Sequence, residues 1–64
     1  MMTREEFTDE FVKEFRAMLR KSRMTQSELS ERVGVGRSVV CRWASGASLP
    51  SLYHYYKVMA ILRG

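Results

Sequence analysis

This chain predicts an all-α fold of four short helices, on three observations. Apolar residues recur at intervals of three and four, Thr-x-x-Glu pairs mark helix starts, and the alternation that signals strands is absent. The expected helices cover about residues 4–22, 26–33, 37–45 and 51–62 of one 64-residue domain. At that length the core is just large enough to fold without disulfide or metal staples.

The first helix carries the longest pattern. Phe7, Phe11, Phe15, Met18 and Leu19 recur at helical spacing with charged residues between them, so this helix is expected to lie as a lid over those that follow. Two starts compete: Thr3-x-x-Glu6 reads as a capping box, and Thr8 followed by Asp9 and Glu10 places acids where a helix N-terminus favours them. The earlier start is preferred here. Arg20, Lys21 and Arg23 mark the other end, at the negative pole of the helix dipole.

Thr25-x-x-Glu28 opens the second helix, whose apolar residues Leu29 and Val33 share one face. Gly34 then offers a backbone free to take positive φ where the chain must turn sharply, and Val35 is placed to plug that turn into the core. The third helix starts around Arg37. It sets Val40 and Trp43 on one stripe, with Arg37, Ser38, Cys41 and Arg42 on the other, which is polar, basic and short. Two short helices around a glycine turn are the layout of a DNA-reading helix-turn-helix.

Pro50-Ser51-Leu52 opens the fourth helix, which is apolar on more than one face. Leu52, Tyr55, Met59 and Leu62 follow a spacing of three, four and three, and are expected to pack on helices 1 and 3. That leaves Tyr53, Tyr56, Ala60 and Ile61 with nothing to bury against in so small a monomer. A soluble domain seldom exposes such a cluster without use, so these four are the expected homodimer face.

Residues from about Leu19 to Leu62 resemble the Cro/repressor (XRE-like) helix-turn-helix family of bacterial and phage regulators. The resemblance rests on Gln26, Leu29 followed by the small Ser30, the turn Gly34, Val40 and Trp43, Gly46 at the end of helix 3, and Pro50-Ser51-Leu52. It implies a lambda-repressor-like domain of four helices, or five where relatives add one, that binds an operator in double-stranded DNA. By the same resemblance, Arg37, Ser38 and Arg42 fall on base-reading positions, and Gln26 and Ser27 on backbone-contacting ones. Arg23 and Ser45 are further candidates for the backbone. Arg37 leads for a guanine contact, because its forked guanidinium matches the two acceptors of guanine in the major groove.

The sequence departs from the family pattern in three places. Gly36 stands where relatives often carry a Ser or Thr N-cap, and Ala47-Ser48-Leu49 replaces a loop that is often basic. Leu19 and Ala44 occupy positions where many relatives place an Arg and a Glu that form a buried ion pair. Losing both charges together is physically sensible, since a buried pair can be replaced by apolar groups at little cost whereas half of one is expensive.

Charge and composition point the same way. The net charge is +4, yet residues 1–14 hold two basic side chains against five acidic ones, so the excess of base lies in the helix-turn-helix half. That is the distribution a phosphate-binding surface requires. Cys41 is the only cysteine, which suits a reducing cytoplasm, and the DNA binding that the resemblance implies would place the chain on the nucleoid. No long apolar run or signal-peptide pattern occurs, so no membrane partner is expected. His54 lacks partners at metal-ligand spacing, and no triad or carboxylate pair stands out, so no catalytic residue, metal or cofactor is expected. With the chain closing at Gly64, no small-molecule effector domain is evident either. The expectation is a small dimeric repressor. Its alternative is a protein-interaction module, an antitoxin or accessory subunit, on the same scaffold.

Overall fold

The computed structural model describes residues 1–64 and is wholly helical: α1 (Arg4–Ser22), α2 (Gln26–Val33), α3 (Arg37–Ser45) and α4 (Leu52–Arg63). Local chemistry fixes each start. The Thr3 hydroxyl accepts from the Glu6 amide while the Glu6 carboxylate accepts from the Thr3 amide, so the earlier of the two starts is the one taken. Thr8 lies inside α1, its hydroxyl donating to the Arg4 carbonyl at 2.9 Å. Thr25 and Glu28 repeat the reciprocal box at α2, with bonds of 3.0 and 3.2 Å. At α4 the Ser51 hydroxyl accepts from the His54 amide, which makes Ser51 the cap and Leu52 the first helical residue, one later than the sequence pattern indicates.

Three helix ends turn through left-handed residues: Arg23 at φ 60, Gly34 at φ 90 and Gly46 at φ 83. At Gly34 the amides of Gly34 and Val35 both close on the Ser30 carbonyl, at 2.8 and 3.0 Å, and Val35 packs half-buried against the core. Gly46 is under a second constraint. A Cβ there would stand 3.2 Å from the Val12 Cγ2 of α1, a tight contact that Val12 must yield a few tenths of an ångström to relieve.

The core is Phe11, Phe15 and Leu19 of α1, Leu29 and Val33 of α2, Val40, Trp43 and Ala44 of α3, and Val58 and Met59 of α4. Phe11 and Phe15 stack at 5.5 Å between ring centres. The one buried polar residue, Ser30, donates to the Ser27 carbonyl at 2.7 Å, and its small size lets the helices meet closely.

Packing departs from the expected stripes at both ends of the α1–α4 pair. Phe7 is 50% exposed and Leu52 71% exposed, although both were expected in the core. Their stripes run past the surface they pack on. Val58, which the expected stripe of α4 omits, is fully buried instead. It lies three residues after Tyr55 and four before Leu62, so it shares their face as fully as Met59 does. Ile61, assigned above to an outer face, is half-buried against the core because this rotation of α4 carries it inward.

The two glycine turns are separable by mutation. Gly34→Ala meets no neighbour and should cost about 1 kcal/mol from the left-handed backbone alone. Gly46→Ala adds the collision with Val12 and should cost about 2 kcal/mol or more. Urea unfolding of both variants checks this, and equal losses would show that the close approach to α1 carries no energetic weight.

Candidate nucleic-acid interface

Burying Val40, Trp43 and Ala44 leaves the other side of α3 in solvent. Arg37, Ser38, Cys41, Arg42 and Ser45 are all exposed, within an arc of about 140° at 100° per residue. Val39 is half-buried at the edge of this face. Neither arginine has a carboxylate partner, since the one ion pair of the molecule is Arg63 with Glu14 at 3.9 Å on the far helices. Both guanidinium groups are thus free to meet an anion. Gly36 caps α3 without a side-chain hydrogen bond, and a Cβ there would meet nothing nearer than the Ser38 Oγ at 3.7 Å.

The start of α2 supplies a second donor set. The capping box uses the amides of Thr25 and Glu28, and the Leu29 amide closes on the Thr25 carbonyl. The amides of Gln26 and Ser27 have no acceptor within the chain, so they remain as outward donors at a helix N-terminus. Gln26 is half-buried and Ser27 exposed. Arg23 is exposed just before them, its left-handed backbone closing α1 through a bond to the Arg20 carbonyl at 3.2 Å.

Gln26 also borders an open cleft of about 330 Å³ that it shares with Arg16, Leu19, Arg20, Met24, Thr25 and Ala44. Two features meet there. Leu19 and Ala44, the positions where relatives carry the ion pair, are both buried and line the same cleft. Arg16 and Arg20, four apart and so on one face of α1, stand beside the free amides of α2. The sequence assigned neither arginine to a DNA contact, reading Arg20 only as a mark of the end of α1.

Ser45 is the least favoured of the expected backbone contacts. Its hydroxyl donates to the Arg42 carbonyl at 3.1 Å and accepts from the Ala47 amide at 3.4 Å. It also faces a depression lined by Asp9, Glu10 and Lys13, whose charge is acidic on balance. His54 is half-buried, with Nδ1 2.9 Å from the Ser51 hydroxyl and its ring 5.9 Å from that of Trp43. It braces the start of α4 and lies off the basic face.

Whether Leu19 and Ala44 meet across the cleft is open to a direct test. Leu19→Arg or Ala44→Glu alone should destabilise by about 2–4 kcal/mol, because each places a charge at a buried position. The double variant should recover a substantial part of that loss, read in a thermal or urea unfolding cycle. Strict additivity would mean that the two sites do not meet.

A family model described as helix-turn-helix matches residues 13–63, from the middle of α1 to the last residue of α4. No curated protein and no solved structure matches the chain.

Proposed function

The chain belongs to the Cro/repressor (XRE-like) helix-turn-helix family of DNA-binding regulators, and from that premise we propose that it is a small dimeric repressor reading a palindromic operator in double-stranded DNA. The observation that carries the reading is the exposed face of α3, where two arginines without carboxylate partners flank Ser38 and Cys41. On this reading α3 enters the major groove. Arg37, Ser38 and Arg42 reach base edges there, and Arg37 grips a guanine through its two acceptors.

Backbone contacts fix the register. The free amides of Gln26 and Ser27 hold a phosphate with help from the Gln26 side chain, and Arg23 neutralises its neighbour. Ser45, already bonded at the end of α3, contributes least. The loop Ala47-Ser48-Leu49 offers no base, so fewer phosphates are neutralised from that side and salt should weaken binding with a modest slope. The setting is the cytoplasm, on the nucleoid.

Selection from a random DNA library followed by sequencing tests the reading directly, with a symmetric enriched motif as the expected result. Arg37→Ala should then cost about 1–3 kcal/mol at that site and relax the preference at one base position. Uniform weakening across all sequences, with only a smaller salt slope, would make Arg37 a phosphate contact instead.

The dimer reading rests on Tyr53 and Tyr56, each 66% exposed, and on the exposed Ala60, which shares their face of α4 one turn further on. The fourth expected member, Ile61, is half-buried against the core and contributes least. A two-fold contact here would set two copies of α3 about 34 Å apart, to meet successive major grooves on one side of the duplex. Tyr56→Glu should yield a folded monomer with much weaker operator binding and unchanged helical content. Wild-type protein that stays monomeric in the ultracentrifuge at high concentration and on DNA would exclude the dimer.

A further inference from the structure

The exposed apolar side chains of α1 and α4 are not scattered. Phe7, Phe11, Leu49, Pro50, Leu52 and Tyr55 line a groove of about 300 Å³ whose wall is almost wholly apolar. A second depression of about 300 Å³ shares Phe7, Phe11 and Tyr55 with it and adds Met2, Glu10 and Glu14. The two share three walls and form one continuous furrow. Its large side chains stand in water: Phe7 is 50% and Leu52 71% exposed. No residue of α2 or α3 takes part, so the furrow belongs to a different surface from the basic face.

Charge identifies what fits it. Residues 1–14 carry two basic side chains against five acidic ones, and two of those acids, Glu10 and Glu14, form the rim. The one ion pair at the rim, Arg63 with Glu14, is 3.9 Å long between two exposed side chains, which neutralises little. Phosphates repel such a surface, so the furrow stays clear of DNA. A second copy of this chain fits it poorly as well. An isologous contact centred on the furrow would meet the same excess of negative charge, while the chain's bases lie mainly elsewhere.

We propose that this furrow docks an amphipathic segment of a partner protein, with two bulky apolar anchors one helical turn apart and Lys or Arg on its flanks. The anchors fill the two adjoining depressions, as an amphipathic helix fills a groove. The basic flanks meet Glu10 and Glu14, which favour the encounter and select against acidic competitors. The inference stands apart from the DNA reading, since it uses neither α2 nor α3. A partner held here can be carried to DNA or can act without it.

The test is to pan the whole chain against a displayed library of random 15-residue peptides. Enriched sequences should share two large apolar residues three or four apart with neighbouring Lys or Arg. Their synthetic versions should lose at least tenfold in affinity to Leu52→Glu and to the charge reversal Glu10→Lys/Glu14→Lys, and keep full affinity for Arg37→Ala. Leu52 is exposed enough that its variant should retain the wild-type circular dichroism, and the charge reversal leaves the apolar wall intact as an independent control. Acidic or featureless enriched peptides, no enrichment, or binding indifferent to both variants would overturn the proposal. So would self-association abolished by Leu52→Glu and unaffected by Tyr56→Glu, which would give the furrow to a second copy.

Discussion

The left-handed turn at Gly34 is the constraint on which the rest of the molecule depends. At φ 90 it reverses the chain within a few residues, and Val35 then drops into the core and fixes the direction in which α3 departs. Only with α3 so aimed can Val40, Trp43 and Ala44 be buried against α1, α2 and α4 while Arg37, Ser38 and Arg42 stay outside. Gly46 secures the far end of the same helix against Val12. The exposed face of α3 is therefore held by a glycine at each end, and its side chains are presented by a rigid element.

The basic face is built by leaving groups unpaired. Capping boxes satisfy the amides that would otherwise be orphaned at Thr25 and Glu28, yet those of Gln26 and Ser27 remain free, and the arginines of α3 have no carboxylate nearby. Exposed groups of this kind cost little in water and become useful when an anion arrives. The interior follows the opposite rule. No buried side-chain nitrogen or oxygen lacks a hydrogen bond, and the positions where relatives bury an ion pair hold Leu19 and Ala44. A domain with so small a core gains by avoiding the desolvation of two charges.

The acidic first turns of α1 and the basic helix-turn-helix divide the surface into two regions of opposite sign. On an elongated molecule of 33 × 21 × 19 Å this separation orients the protein toward a polyanion before contact is made. It also keeps the apolar furrow, with Glu10 and Glu14 on its rim, away from phosphates.

The sequence by itself determined the all-α fold, the boxes at Thr3 and Thr25, the turn at Gly34, the outward stripe of α3 and the membership of the family. Each depends on contacts within a few residues, or on a periodicity that local chemistry sets. Only the tertiary structure decided which ends of the amphipathic stripes are covered. Periodicity groups Phe7 with Phe11 and Phe15, but a stripe does not state where the neighbouring helix stops, and Phe7 and Leu52 lie beyond that limit. In α4 the apolar residues surround too much of the helix for spacing to choose one face, so packing against α1 and α2 drew Val58 in and turned Leu52 out. The cleft that joins Arg16 and Arg20 to Gln26, and the furrow beside Phe7, were hidden for the same reason. Each is made by residues from separate elements, and one-dimensional spacing says nothing about the distance between helices.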